Sequence, residues 1–422
     1  MVQWMVKMNQ FAGTQVLDSL SPVTMSGENI VCFAKDWSDN PTSANHVMKM
    51  LARNNRVLWL NSIATRTPNL SSSNDLRKIG RKMKDLVRGP FEAAPGLNVY
   101  SPIVLPFPHS RAAVRANRQI LRSTVSALRR RLGMRDFQLW SFLPSAVEYV
   151  GQLGESLVVY YCTDEWSEFK SVDGTRMAAL ERDMCSKADL VFATSQQLVE
   201  RKRLHNPETH LASHGVDHAH FSKALEPSTV VPSDVAGLPH PVVGFFGLLE
   251  YWYDIDLFAY LAERRPDWSI VVIGPEKVDC SRLRQYPNVH LLGYKAYEEL
   301  PGYCKAFDVG LCPFVTNELT RNVNPIKLRE YLSAGLPVVS TGIPEIQNYN
   351  AWCSNAVGPA DFLAHCERVL AEDTPRLRRA RSASMADETW ERKVADLGAH
   401  IGRVQAQRHA AVPFGSPLAS TI

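Results

Sequence analysis

Between Asn322 and Val339 the chain reads NVNPIKLREYLSAGLPVV, and several residues in this run are of types that do chemistry. Asn324 followed by Pro325 is a helix start, with Asn as N-cap and Pro at the first helical position. Gly335 and then Pro337 form a stop. A helix of about three turns results, whose N-terminus offers free N–H groups and a positive dipole end suited to a diphosphate. Lys327 stands in the first turn, where a cation opposes the dipole and is better accommodated beside an anion. Glu330, near the middle of the helix, can accept two hydroxyl protons at once, as recognition of a ribose diol requires. The same spacing also describes an ordinary amphipathic helix with Ile326, Tyr331 and Leu332 inside and the charges in water. Helix logic alone leaves both readings open.

Other residues invite the same question. Thr163-Asp164-Glu165 ends a strongly apolar strand and is expected to point into a cleft, although Asp164 or Thr163 could equally cap a following helix. Gly244-Phe245-Phe246-Gly247 ends a strand in a glycine that lets a backbone approach a ligand, or simply makes a tight turn. Asp254-Ile255-Asp256 has the look of a metal motif, but it opens a helix, where Asp is a normal first-turn residue. His210, His214, His218 and His220 lie close together without Cys or Glu partners, so no metal is expected there. The eight cysteines show no C-x-x-C spacing and several lie in apolar runs. They read as reduced, buried thiols of a cytosolic protein.

The elements that must position these residues alternate strand and helix. Ile30–Ala34, a helical pattern through Val47, Met50 and Leu51, and Arg56–Leu60 make one βαβ unit. Strands follow at Phe137–Ser141, Ser156–Cys162 and Asp189–Thr194, with helices near Ser145–Gly151 and Thr175–Ala188. The run Glu226–Pro241 holds four prolines and reads as a linker. Beyond it the rhythm restarts: strands Val242–Phe246, Trp268–Gly274, Asn288–Gly293, Val309–Phe314 and Pro337–Ser340, with helices Asp254–Arg264, Glu298–Phe307 and Pro325–Ala334. The fold class is α/β: two doubly wound, Rossmann-like parallel-sheet domains facing across a cleft, the default place for a ligand.

The chain has 422 residues, too many for one ordinary core, and its composition is 45% hydrophobic and 21% charged, that of a globular enzyme. No apolar stretch is long enough to span a membrane, and the N-terminus reads as a frayed leader, not a signal peptide. Net charge is only +4, but residues 77–135 carry 14 basic and 2 acidic side chains, a balance of +12. Leu76, Ile79, Met83 and Leu86 share one helix face with Arg77, Lys78, Arg81, Lys82 and Lys84 on the others, and Arg111, Arg115, Arg118 and Arg122 recur at helical spacing. Such a segment suits an anionic membrane surface or is a solvated face. The interleaved aromatics of a single-strand reader are missing, so no nucleic-acid partner is expected.

The Glu330-Tyr331-Leu332-Ser333-Ala334-Gly335-Leu336-Pro337-Val338 run resembles the second half of the signature of family 4 glycosyltransferases. Further marks fall in the family's order: His214-Gly215-Val216-Asp217 with Phe221, Gly244–Gly247, Val272-Ile273-Gly274-Pro275, Asn288–Gly293 and Asp308–Leu311. The likeness is closest to bacterial cell-surface polysaccharide transferases of the teichuronic-acid type. It implies the two-domain GT-B fold and transfer of a sugar from a UDP- or GDP-linked nucleotide sugar to a glycan, lipid-linked or small-molecule acceptor, with retention, no metal and no other cofactor.

It also implies the domain plan: an acceptor domain over 1–228, a linker over 229–241, a donor domain over 242–388, a helix over 389–405 packed back on the first domain, and a flexible tail over 406–422. The donor residues would be Gly247, Asn322, Asn324, Pro325, Ile326, Lys327 and Glu330. The acceptor residues would be Ser43, His46, Thr163 and Asp164, with Ser43 and His46 where the family has a glycine-rich loop. Asp164, His46 and Glu330 are the candidates for the chemistry. The sequence departs from the pattern at Asn322, where the family has its first Glu, and after Gly247, where Leu248, Leu249 and Glu250 follow in place of the basic residue the family often has there. The protein is expected to be cytoplasmic and to meet the inner face of the membrane. Rival readings are a nucleotide-sugar epimerase of the same fold and a non-catalytic sugar-nucleotide or membrane-binding protein.

Overall fold

The computed structural model describes residues 25–39, 41–63, 88–107 and 110–411, together with Arg77, Gly80 and Lys84. The leader, the apolar face through Leu76, Ile79, Met83 and Leu86, and residues 412–422 lie outside the described residues. Arg77, Gly80, Lys84 and Arg88 are helical and exposed.

The first sheet is built from β1 (Asn29–Phe33), β2 (Arg56–Leu60), β3 (Phe91–Ala94), β4 (Leu97–Tyr100), β5 (Gln138–Ser141), β6 (Leu157–Cys162), β7 (Leu190–Ala193) and β8 (Thr209–Leu211). Its order is β3-β4-β2-β1-β5-β6-β7-β8, parallel throughout except for the antiparallel β3–β4 pair. The second sheet contains β9 (Val242–Phe246), β10 (Ser269–Ile273), β11 (Val289–Gly293), β12 (Val309–Cys312), β13 (Val338–Thr341) and β14 (Cys353–Ala356), in the order β11-β10-β9-β12-β13-β14. Runs such as LVVYYC and SIVVI are buried along their whole length, as parallel strands covered by helices on both faces must be. In each sheet the order reverses beside the first strand, between β1 and β5 and between β9 and β12. These switch points open crevices at the carboxyl ends of the strands.

The chain leaves the first domain earlier than the boundary expected at residue 228. Val216, Phe221, Ala224 and Val235 are buried in the second domain's core. The expected linker 229–241 instead wraps that domain. The Lys305 ammonium donates to the carbonyls of Glu226, Pro227 and Thr229 at 2.7, 3.0 and 2.8 Å. Of the prolines that suggested a linker, Pro227 is held by Lys305, and the Pro239 and Pro241 carbonyls accept the Ser269 hydroxyl at 2.7 Å and its N–H at 3.0 Å.

The two passages between the domains run side by side. The Val216 N–H donates to the Glu388 carbonyl at 2.8 Å. A Cβ on Gly215 would lie 2.6 Å from the Trp390 nitrogen, so the pairing requires glycine. The C-terminal helix Trp390–Ala411 buries Trp390, Val394, Leu397, Ile401 and Val404 in the first domain's core. It runs six residues past Gln405, the expected end of the helix, and Arg408 in this added stretch bonds to Asp189 and to the Ser156 carbonyl.

Candidate active site

The helix expected at Pro325–Ala334 spans Ile326–Ser333, with Pro325 in the cap position and no side-chain cap bond. Asn324 is not the cap, because tertiary partners claim its amide. Its Nδ2 donates to the Thr194 carbonyl of the first domain at 2.7 Å and to Glu345 at 3.3 Å, while Arg329 donates to its Oδ1 at 2.6 Å. Glu345 in turn accepts the Gln196 N–H at 2.6 Å. The loop that starts the helix is thus fastened to the carboxyl end of β7. Ile326 packs partly against the first domain's core.

Tyr331 sets the helix on the second sheet: it is fully buried, and its hydroxyl accepts the Phe246 N–H at 3.0 Å. That seat brings Lys327 over the end of β9. Gly247 has φ +142, and a Cβ there would lie 2.6 Å from Lys327 Nζ, so glycine is required both for its conformation and for the ammonium. Nζ stands 5.5 Å from the Tyr253 ring centroid and 5.9 Å from that of Phe245. Burial works against its charge, but Tyr253 and Glu330 more than offset this, and the pKa of Lys327 is raised.

Glu330 follows one turn later and is half-buried. Its carboxylate accepts no hydrogen bond from the described residues. Burial pushes its carboxyl up to about 7, with Lys327 pulling in the opposite direction. A carboxylate in this state, beside an ammonium over a bare backbone, can receive two hydroxyls from a ligand whose phosphates meet the lysine. Asn322 is buried and ends the short helix Glu318–Arg321. Its Nδ2 donates to the Glu318 carbonyl at 2.7 Å, and its Oδ1 has no partner among the described residues.

Across the cleft, Asp164 follows β6 and caps no helix; Asp173 caps the helix Gly174–Lys187. Burial raises the Asp164 carboxyl, against Lys35 and the Thr163 hydroxyl, which lower it. The Thr163 carbonyl accepts the Thr194 hydroxyl at 2.8 Å. Glu165 is turned inward, paired with Lys202 at 3.1 Å. Ser43 is the first residue of the helix Ser43–Ala52 and is buried. His46 stacks on Trp390 at 4.8 Å with parallel rings. Burial, reinforced by Lys49, lowers it to about 4, so it is neutral at pH 7.

The other candidates have structural duties. Asp254 caps the helix Ile255–Arg264 and Asp256 pairs with Arg282. The four clustered histidines face different partners. His210 meets Glu208 at 3.1 Å, His218 meets the Ser382 carbonyl at 2.9 Å, His220 meets the Tyr297 carbonyl at 2.9 Å, and His214 lies buried beside Trp390. Among the described residues no group of three His, Cys, Asp or Glu could hold a metal ion.

Sequence reasoning missed Lys35, Tyr253, Tyr297 and Glu345. Tyr297 senses the Glu330 charge and stacks on His220 at 4.4 Å. None of the four stands at a spacing from Lys327 that a linear pattern could reveal.

Residues 240–372 match the family model described as glycosyl transferases group 1. A protein of Bacillus subtilis (strain 168) that carries the name teichuronic acid biosynthesis glycosyltransferase TuaH is 28% identical over 237 residues, 51% of this chain. The match covers 59% of that relative's own length. Sucrose-phosphate synthase from Thermosynechococcus elongatus superposes with a TM-score of 0.64 at 15% identity, covering 91% of this chain and 100% of that one. Anabaena HepE, solved with UDP-glucose, superposes with a TM-score of 0.60 at 14% identity over 89% and 99%. The trehalose 6-phosphate synthase of Burkholderia multivorans gives 0.60 at 14% identity over 91% and 100%. The fold is therefore GT-B, two parallel-sheet α/β domains.

Proposed function

We propose that the chain is a glycosyltransferase that moves a sugar from a nucleotide sugar to a glycan or lipid-linked acceptor. The observation that carries this reading is the Gly247–Lys327–Glu330 constellation: an ammonium over a backbone with no side chain, and one turn away a half-buried carboxylate. The first-turn N–H groups and Lys327 neutralise the donor diphosphate, and Glu330 accepts the two ribose hydroxyls. Because that charge is already met, no metal ion is required. UDP is the favoured nucleotide, since HepE of the same fold was solved with UDP-glucose.

Asp164 and Lys35, at the opposite wall, receive the acceptor with Thr163, Ser43 and the neutral His46. The acceptor oxygen bonds to the anomeric carbon on the face from which the diphosphate leaves, the carbon–phosphate-oxygen bond breaks, and the acceptor proton passes to the departing phosphate oxygen. Configuration is retained and no protein base is needed.

The acceptor side also suits a membrane. The segment after β4 turns Ile103, Leu105 and Phe107 outward at 51%, 42% and 50% exposure, next to the helix Arg111–Arg131, which has seven arginines and no acid. Asn117 pins it there, accepting the Leu105 N–H at 2.7 Å and donating to the Leu105 carbonyl at 3.0 Å. No helix among the described residues is long and apolar enough to cross a bilayer; the exposed apolar trio beside the arginine-rich helix supports docking on an anionic surface. A thermal-shift titration with UDP-glucose and GDP-mannose tests the donor assignment: one of them stabilises the protein by mass action, and Glu330→Ala abolishes the shift. An unchanged shift in that variant refutes it.

A further inference from the structure

Four aromatic side chains converge where the two domains meet beside Asp164 and Lys327, and nothing above uses them. Trp166 and Phe169 follow Asp164 in the first domain, and their ring centroids lie 5.6 Å apart. Tyr251 and Trp252 follow Gly247 in the second, 5.0 Å apart. Phe169 meets Trp252 edge-on across the domain boundary at 6.1 Å. The result is an aromatic shelf of tilted rings, 45° and 85° apart at successive contacts, that crosses the domain boundary.

The shelf is held in place. The Val315 N–H donates to the Trp252 carbonyl at 2.9 Å. The Lys170 N–H donates to the Tyr251 hydroxyl at 3.2 Å, and the Lys170 ammonium stands 4.5 Å from the centre of that ring. Tyr253, the next residue, contacts Lys327. One end of the shelf is therefore a single residue from a side chain at the donor lysine, and the other is two residues from Asp164.

Packing alone does not account for these rings. Trp59, Trp140 and Trp268 show what core tryptophans look like in this chain, each fully buried. Trp166, Phe169, Tyr251 and Trp252 all stay half-buried, although the Trp166 indole N–H itself is buried, without a partner among the described residues. Partly exposed aromatic rings at a domain boundary suit a ligand with an apolar face and a hydroxylated rim. A pyranose ring has both: its axial C–H groups stack on an aromatic face while its hydroxyls reach polar neighbours. Three successive rings, Trp166, Phe169 and Trp252, extend beyond one sugar.

We propose that this shelf binds the acceptor as a glycan chain, so that the growing oligosaccharide lies along Trp166, Phe169 and Trp252 with its terminal sugar at Asp164. The assignment to the acceptor rests on the glycosyltransferase reading; the presence of a glycan site does not. The test is calorimetric titration of the full chain, with and without UDP, using maltotetraose, cellotetraose and chitotetraose as probes. Saturable binding of at least one is expected, weakened tenfold or more by Trp252→Ala and by Phe169→Leu, with Trp166→Phe closer to wild type. The thermal shift given by the nucleotide sugar should persist in these variants, which also shows that they fold. Failure of all three probes to bind, or equal binding by Trp252→Ala and Phe169→Leu, overturns the shelf. Glycan binding without any nucleotide-sugar shift in the wild type sinks the donor reading and leaves the shelf standing.

Discussion

If Glu330 receives the ribose as proposed, donor binding should be pH-dependent in a range where most carboxylates are silent. Its carboxyl is raised from 4.5 to about 7 by burial, and only the ionised form accepts two ribose hydroxyls. With a pKa near 7, roughly one site in eleven is ionised at pH 6 and ten in eleven at pH 8. Affinity for a nucleotide sugar should therefore fall about tenfold from pH 8 to pH 6. The ligand must be a nucleotide sugar, whose diphosphate is esterified at both ends and keeps its charge over this range. Isothermal titration of UDP-glucose is the assay, repeated at pH 7 in buffers of different ionisation enthalpy, where binding should release about half a proton per site. Glu330→Gln should flatten the profile and weaken binding at pH 8 by about 1–2 kcal/mol, since one amide oxygen replaces two. The same ionisation bears on stability. A folded-state pKa above the unfolded value means the native protein holds the proton more tightly, so its stability is lost as pH rises from 4.5 to about 7. The loss is on the order of 3 kcal/mol, and Glu330→Gln should be the more stable protein above pH 7 in urea titrations. A flat affinity between pH 6 and 8, or an identical profile in Glu330→Gln, refutes the reasoning.

Three further outcomes follow from the geometry. Asn324→Ala leaves the Thr194 carbonyl, Glu345 and Arg329 short of buried partners; it should cost about 1–3 kcal/mol in denaturant unfolding and lower transfer activity as the domains separate. Gly215→Ala places a Cβ 2.6 Å from the Trp390 backbone nitrogen, where no flexible side chain can yield, and should destabilise by about 1–3 kcal/mol in the same assay. Changing Ile103, Leu105 and Phe107 together to Ser should abolish co-sedimentation with anionic vesicles while leaving the nucleotide-sugar thermal shift intact, and undiminished sedimentation would remove this face from the membrane contact.

The two sheets were legible because parallel core strands are unbroken apolar runs, as Ser156–Cys162 and Trp268–Gly274 illustrate. The β3–β4 hairpin was not, since FEAAPGLNVY offers only Pro95-Gly96 as a turn signal and little apolar alternation. Proline density misplaced the domain boundary because Lys305, over seventy residues downstream, decides where that segment lies. The helix that carries Lys327 and Glu330 was legible from its start and stop signals. Asn324 was misread as a cap because its true partner, the Thr194 carbonyl, lies 130 residues away, and a local rule cannot weigh a tertiary competitor. Asp164 was ambiguous for the same reason; only the structure shows that Asp173 takes the capping role.

The remaining residue of the donor helix joins these parts. Arg329 lies between Lys327 and Glu330 in sequence but on the opposite face, buried to 2% exposure. It donates to Asn324, whose amide holds the first domain at Thr194, and its Nε lies 3.7 Å from the Glu388 carboxylate. The carbonyl of Glu388 receives the Val216 N–H where the two interdomain passages run together. One buried guanidinium thus touches the donor helix, the loop that latches the domains and the passage about which they would turn. Breaking such a buried charge from any one partner is costly, since it leaves a charged group uncompensated. Opening the domains at Asn324 must therefore disturb Arg329, and with it the helix that carries Lys327 and Glu330. Arg329 thereby links the contact between the domains to the helix that carries Lys327 and Glu330.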